Sequence, residues 1–242
     1  MKLYGLIGLR LGHSFSARYF AEKFARNGLD CRYLNFELPG IDALSELLRQ
    51  HPELCGFNVT IPYKEAILPC LSTLTDEARE VGAVNTVRIE KGGILIGHNT
   101  DMEGFDTALG ELLRDEQPSC ALVLGSGGAS KAVCAALSRR QIPYRIVSRK
   151  GPLTYADLTP VLVADTPLLV NATPQGMWPD VDALPDLPYQ AIGARHRCFD
   201  LVYNPEETAF MAACRSRGAR VCNGLRMLHL QADAAWRFWT AP

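Results

Sequence analysis

The chain has 242 residues, 48% hydrophobic and 21% charged, with a formal net charge of −1. These figures suit one large or two ordinary globular domains built on an apolar core. The net charge offers no argument for a nucleic-acid partner, and no apolar run is long enough to cross a bilayer.

The opening apolar run, Leu3-Tyr4-Gly5-Leu6-Ile7, is soon interrupted by Arg10 and His13, which is too short for a secretory signal. Eight cysteines stand at Cys31, Cys55, Cys70, Cys120, Cys134, Cys198, Cys214 and Cys222, with no C-x-x-C pair. They read as reduced thiols of a cytoplasmic protein, with no metal and no disulfide framework.

The first elements alternate. Residues 3–7 read as a buried strand, followed by a glycine-bounded loop over 8–12 and a helix over 14–27 that stops at Gly28. A strand over 31–38, a helix over 41–49 and a strand over 54–59 follow. This alternation means βαβ units and a mostly parallel sheet, so the fold class is α/β. A short helix over 76–81 precedes strands over 83–89 and 94–96, joined by the hairpin-type turn Lys91-Gly92-Gly93. A helix over 101–113 comes next.

Three polar stretches stand out in this half. Asn58-Val59-Thr60-Ile61-Pro62-Tyr63-Lys64 closes the third strand, because Pro62 cannot donate to a ladder. It leaves Thr60 and Lys64 at a strand's carboxyl end, where open α/β sheets place their ligands. Ser14 and Ser16 begin the first helix. Ala17 and Tyr19 stand three residues on, so there is no capping box. The two hydroxyls are either plain caps or, with the free N–H groups, a carboxylate holder. Asn85-Thr86 and Asn99-Thr100-Asp101 are either polar strand ends and a helix cap or part of a site.

The second half begins with a strand over 120–124 that runs into Gly125-Ser126-Gly127-Gly128-Ala129-Ser130 and then a helix over 131–140. Strand, glycine loop and helix in that order are the context of a dinucleotide fingerprint. Gly125 permits the tight turn, Gly127 lets the backbone approach a pyrophosphate, and the helix N-terminus favours negative charge. The departure is Ser130, where a third Gly or Ala is usual. The next strand, over 144–147, ends in Ser148-Arg149-Lys150, where an NAD-binding domain carries Asp or Glu. A hydroxyl and two cations suit a 2′-phosphate instead, so NADP is the expected cofactor.

A strand over 168–170 leads to Asn171-Ala172-Thr173-Pro174-Gln175-Gly176-Met177, and one over 198–202 leads to Tyr203-Asn204-Pro205. A helix over 206–217 and a strand over 219–222 follow. Asn223-Gly224-Leu225 then opens a final helix over 227–239. Its apolar stripe runs through Leu228, Ala232, Ala235 and Trp236, with Gln231 near the edge. The stretch 151–167 is short for the helices expected there, which should be trimmed or absent.

Taken in order, these pieces resemble the shikimate dehydrogenase family over nearly the whole chain. Ser14-Phe15-Ser16, Asn58 through Lys64, Gly82-Ala83-Val84-Asn85-Thr86 and Asn99-Thr100-Asp101 carry the likeness in the first half. Gly125-Ser126-Gly127-Gly128-Ala129, Asn171 through Met177, Tyr203-Asn204-Pro205 and Gly224-Leu225-Arg226-Met227-Leu228 carry it in the second. The resemblance implies two domains. One, residues 1–100 plus 226–242, would take shikimate or 3-dehydroshikimate. The other, 101–225, would be a Rossmann domain binding NADP, with the active site in the cleft between them. It implies that Ser14 and Ser16 hold the substrate carboxylate. Thr60, Lys64, Asn85, Asp101 and Gln231 would contact the ring hydroxyls, and Tyr203 would lie near substrate and nicotinamide. The cofactor set would be Gly125, Ser126, Gly127, Gly128, Ala129, Ser148, Arg149, Lys150, Asn171, Thr173 and Gly224. Ser148-Arg149-Lys150 departs from the family's common Asn-Arg-Thr run.

Oxidising a secondary alcohol needs a hydride acceptor and a group that handles the hydroxyl proton. Lys64 is the expected acid/base group, and Asp101 the group that orients and polarises. The expected partner is a small molecule, without nucleic acid or membrane, and the chain is a monomer or homodimer. Rival readings are a quinate or dual-specificity dehydrogenase and a non-catalytic NADP-binding sensor. Serine at both 14 and 16 suits shikimate, since quinate-preferring relatives often carry Thr at the second position. A sensor would need neither Lys64 nor Asp101.

Overall fold

The computed structural model describes residues 1–12 and 15–241. It divides into two compact units, Met1–Thr100 with Ala232–Pro242, and Asp101–Gln231. Each has its own sheet.

In the first unit, β1 (Lys2–Gly8), α1 (Phe15–Arg26), β2 (Cys31–Glu37), α2 (Leu44–Gln50) and β3 (Leu54–Val59) form two successive strand–helix repeats and a third strand. A one-turn helix α3 (Tyr63–Ala66) follows, then a two-residue strand β4 (Thr73–Leu74), α4 (Asp76–Val81), β5 (Thr86–Glu90) and β6 (Ile94–His98). The sheet order is β2-β1-β3-β5-β6-β4. β1 runs parallel to β2 and β3, and β4 parallel to β6, while β5 is antiparallel to both neighbours. The antiparallel pair is the hairpin foreseen at Lys91-Gly92-Gly93, with both glycines at positive φ. α3 and β4 had no sequence signal, because neither is long enough to show a period.

Both faces of this sheet are covered, and alternation along β1 shows how. Leu3 and Ile7 join one apolar cluster with Phe57, Val59, Tyr63 and Ile67. Tyr4 and Leu6 point the other way, to Phe20 and Phe24 of α1 and to Ala232, Ala235 and Trp239. Trp239 stacks on Tyr4 at 4.9 Å and its indole N–H donates to the Val87 carbonyl at 2.9 Å.

The second unit contains α5 (Asp101–Leu113), β7 (Ala121–Leu124), α6 (Gly128–Arg139), β8 (Tyr144–Val147), α7 (Pro160–Ala164), β9 (Leu168–Asn171), β10 (Arg197–Asp200), α8 (Ala209–Arg215) and β11 (Arg220–Cys222). Its sheet is wholly parallel in the order β11-β10-β9-β7-β8. β7, β9 and the inner end of β10 are buried on both faces, so Ala121–Leu124, 168–170 and Cys198-Phe199 are apolar without a break, and the polar Asn171 and Asp200 come only at the strand ends. The final helix α9 (Leu225–Thr240) begins in this unit and ends in the first.

Several bounds differ from the sequence reading: β5 starts at Thr86 rather than 83, β10 ends at Asp200 rather than 202, and α9 starts at Leu225 rather than 227; three further differences concern helices. α6 begins at Gly128, three residues early, because Gly127 in extended conformation serves as its N-cap. The helix expected over 206–217 is shorter, because Thr208 caps it: the Thr208 hydroxyl accepts from the Met211 N–H at 3.2 Å. The stretch 151–167 does hold helix, trimmed to a single 3-10 turn, Tyr155–Asp157, and the five-residue α7. Among the described residues, no helix is long and apolar enough to cross a membrane. All eight cysteines are unpaired, and Cys134, Cys198 and Cys214 are buried.

Candidate active site

In both units the first strand of the βαβ run has its two successors on opposite sides: β2 and β3 flank β1, and β8 and β9 flank β7. Connections leaving toward opposite sides open a crevice at the strands' carboxyl ends. In the first unit that crevice lies between the ends of β1 and β3. Thr60 follows β3, its N–H donating to the Ile7 carbonyl at 2.9 Å, and its carbonyl accepts from the Tyr63 N–H at 2.9 Å. That turn starts α3, where Lys64 is half-buried and its carbonyl accepts from the Val84 N–H at 2.8 Å. Ser16, half-buried, lies in the first turn of α1. Ser14 lies outside the described residues.

Beneath Ser16 runs a buried polar chain. Ser16 lies close enough to Tyr33 of β2 to pull its phenol down, and the Tyr33 ring stacks on Phe20 at 4.6 Å. The Tyr33 hydroxyl donates to Asn58 Oδ1 at 2.9 Å. Asn58 Nδ2 donates to the Thr86 hydroxyl at 3.0 Å and to the Asn85 carbonyl at 3.2 Å. Asn85 is clamped to Thr100: Oδ1 accepts the Thr100 N–H at 2.8 Å, and Nδ2 donates to Thr100 Oγ1 at 2.9 Å. Asn58, Asn85, Thr86 and Thr100 are all buried, and so hydrogen-bonded internally as buried polar groups must be. Burial pushes the Tyr33 phenol up and Ser16 pulls it back. Asp101, buried, is the first residue of α5 in the second unit, and Gln231, also buried, donates through Nε2 to the Leu228 carbonyl at 3.1 Å. The sequence left Gln231 at the edge of a packing stripe, and it falls on the covered side.

In the second unit the crevice lies between the ends of β7 and β9. Gly125 sits at φ +106, a conformation that disfavours any side chain, and its N–H donates to the Val147 carbonyl at 2.7 Å. A Cβ at Gly127 would meet nothing within 4 Å. The backbone there is bare and open at the start of the twelve-residue α6, with Ser126 exposed and Gly128 and Ala129 in the first turn. This is a cradle that a pyrophosphate fits, with helix N–H groups facing it. Beside it lies a cavity of about 570 Å³ lined by Ser126, Ser148, Lys150, the apolar Ile146, Pro152 and Leu153, and also Tyr144 and Arg145. An apolar wall with cations at its edge suits a nucleoside carrying a phosphate. Ser148 donates its hydroxyl to the Lys150 carbonyl at 2.8 Å, which bends the loop. Arg149 is exposed beside Tyr155, whose phenol burial pushes up and Arg149 pulls back.

On the other side of the crevice, Asn171 ends β9. Its Oδ1 accepts from Thr173 N–H at 3.1 Å and from the Thr173 hydroxyl at 2.6 Å, folding the loop back on itself. Its Nδ2 donates to Asp200 Oδ1 at 3.0 Å. Tyr203 follows β10, half-buried, and burial pushes its phenol up. Gly224 is there for closeness: a Cβ would lie 2.1 Å from the Leu201 carbonyl oxygen, and its N–H donates to the Val202 carbonyl at 3.0 Å.

Sequence reasoning missed Tyr33, Arg145 and Asp200. Tyr33 and Arg145 had no signal beyond ordinary strand residues. Asp200 did have one, an acid inside the apolar run Cys198-Phe199-Asp200-Leu201-Val202.

Comparison with known proteins bears on both units. The model of the shikimate dehydrogenase substrate binding domain matches residues 6–87. A shikimate dehydrogenase (NADP(+)) from Caldanaerobacter subterraneus subsp. tengcongensis is 35% identical, covering 99% of this chain and 91% of the relative. The crystal structure of shikimate 5-dehydrogenase from Thermus thermophilus in complex with NADP(H) and shikimate is 33% identical, covers 100% of this chain and 94% of its own, and superposes with a TM-score of 0.87. Quinate dehydrogenase from Corynebacterium glutamicum in complex with NAD is 28% identical over 100% of this chain and 94% of its own, with a TM-score of 0.89.

Proposed function

Because this chain belongs to the shikimate dehydrogenase family, we propose that it catalyses the reversible reduction of 3-dehydroshikimate to shikimate with NADPH, in the shikimate pathway of aromatic amino-acid biosynthesis. The first unit takes the substrate and the second takes NADP. The observation that carries this reading is the pairing of loop contents at the two crevices: Thr60 and Lys64 at one, the Gly125 loop with Asn171 and Thr173 at the other.

Ser14 and Ser16 hold the substrate carboxylate. Thr60, Lys64, Asn85, Asp101 and Gln231 hold the ring hydroxyls, and Tyr203 lies near the reacting carbon. The bare backbone from Gly125 to Ala129 holds the pyrophosphate, and Ser148, Arg149 and Lys150 the 2′-phosphate. Asn171, Thr173 and Gly224 line the remainder of the cofactor. When bound, the nicotinamide supplies the hydride for reduction and accepts it in the reverse direction. Lys64 delivers a proton to the carbonyl oxygen during reduction and removes it from the hydroxyl during oxidation. Asp101 orients that hydroxyl. The enzyme works in the cytoplasm as a monomer or homodimer.

The test is an initial-rate assay at the nicotinamide absorbance band, with shikimate and quinate each tried against NADP and NAD. Turnover with shikimate and NADP far above the other pairs supports the reading. Preference for quinate would move the substrate claim. Nucleotide binding without turnover of either alcohol would replace the enzyme by a sensor.

A further inference from the structure

Asp200 is the last residue of β10, with no exposed surface. Among the described residues its hydrogen-bond partners are three neutral donors: Asn171 Nδ2 and Val202 N–H on Oδ1 at 3.0 and 2.9 Å, and the Thr208 hydroxyl on Oδ2 at 2.6 Å. A buried carboxylate without a cation is costly, and an apolar residue would close this strand end at less cost. Burial pushes its acid up to about 6, against the pull of the three donors. What the carboxylate does instead is gather three segments, one donor from each: the end of β9, the turn after β10 and the cap of α8.

Its grip on Asn171 decides that loop's shape. With Nδ2 held by Asp200, Asn171 Oδ1 faces the other way and accepts both Thr173 donors. Val202, also held, is followed directly by Tyr203. The sheet order places the Ser148-to-Lys150 loop at β8, the glycine loop at β7, Asn171 at β9 and Asp200 one strand beyond. A dinucleotide with its 2′-phosphate at β8 and pyrophosphate at β7 carries its nicotinamide half past β9. We propose that Asp200 is a positioning residue for that half of the cofactor, acting through Asn171 and through the turn that carries Tyr203, and without influence on the adenosine half. This rests on the reading that the second unit takes NADP.

The test is calorimetric binding of two ligands, NADP+ and adenosine 2′,5′-bisphosphate, to the full chain and to Asp200→Ala. Loss of a preorganised loop should weaken NADP+ by about tenfold, while the bisphosphate stays within about twofold. Asp200→Asn keeps an acceptor for Asn171 and Val202, and should recover most of the NADP+ affinity. Equal weakening of both ligands would mean general damage to the unit and overturn the proposal, as would unchanged NADP+ affinity. If circular dichroism shows that Asp200→Ala is unfolded, Asp200→Glu takes its place. It keeps the charge but displaces the oxygens by one methylene, and must produce the same split between the two ligands. A wild-type chain that binds NADP+ without turning over shikimate defeats the proposed function and leaves this test readable. One that binds no NADP+ overturns both.

Discussion

Tyr33→Phe is the sharpest probe of the buried polar chain. The proton directions follow from the partners. Asn58 Nδ2 is spent as a donor on Thr86 and the Asn85 carbonyl, so Asn58 Oδ1 can only accept. The Tyr33 proton therefore goes to Asn58, and the neighbouring Ser16 hydroxyl, which pulls the phenol down, faces the Tyr33 oxygen as a donor. Phenylalanine keeps the stacking on Phe20 and removes the bond to Asn58 together with the polar neighbour of Ser16. Asn58 Oδ1 is then buried without a donor, which costs about 1–3 kcal/mol, while half-buried Ser16 rehydrates and adds about 0.5 kcal/mol. A loss near 2 kcal/mol should move the urea midpoint of the first unit by about 1 M at an m-value near 2 kcal/mol/M. Trp236 and Trp239, both in that unit, report the transition by fluorescence. The same variant leaves the Ser16 hydroxyl without its internal anchor, so KM for shikimate should rise roughly two- to tenfold with kcat little changed. In a Ser16→Ala background the substitution should add nothing further to KM. An unshifted midpoint would refute the hydrogen-bond directions, and an undiminished KM effect without Ser16 would refute the link to it.

Three further outcomes follow from particular contacts. Lys64→Ala should lower kcat by about 10²–10⁴ while NADP+ affinity measured by calorimetry stays the same, and near-normal turnover would remove Lys64 from proton transfer. Gly224→Ala forces a methyl to within 2.1 Å of the Leu201 oxygen, so it should destabilise the second unit by more than about 2 kcal/mol in a thermal melt. An unchanged melting temperature would show that the helix start can slide away at little cost. Asp200, raised from 3.8 to about 6, titrates against stability. The folded state favours its neutral form, so its contribution is fully present below pH 3.8 and is lost as pH rises through 6. The stability of wild type relative to Asp200→Asn should therefore fall by about 3 kcal/mol across that window and level off above it. A flat difference in urea melts from about pH 4 to 7.5 would mean that the three donors outweigh the burial.

Much of the candidate site was readable in the chain because its signals are local. Gly125 through Ala129 between a strand and a helix, Pro62 closing a strand, and Ser148-Arg149-Lys150 where an acid would serve NAD are each read within a few residues. Alternation of strands with helices along the chain pointed to the α/β class, since strands joined by crossover helices make a mostly parallel sheet. What escaped were features that exist only between segments. Tyr33 is an ordinary aromatic of β2 until Asn58 of β3 and Ser16 of α1 are placed against it. The charge of Asp200 makes sense only once Asn171, Val202 and Thr208 converge on it. Gly224 reads as a loop glycine, and only the approach of the Leu201 carbonyl makes it obligatory.

Helix ends divide the same way. Gly28 stops α1 by a preference of its own residue type, whereas α8 starts at Ala209 because Thr208 is held by Asp200 and turned to cap Met211. The sequence by itself determined most of the strands, where the backbone can bend sharply and what chemistry is carried at each bend, since those depend on neighbours along the chain. Only the tertiary structure decided which bends share a crevice and which buried donors meet which acceptors, because strand order and register bring together residues tens of positions apart.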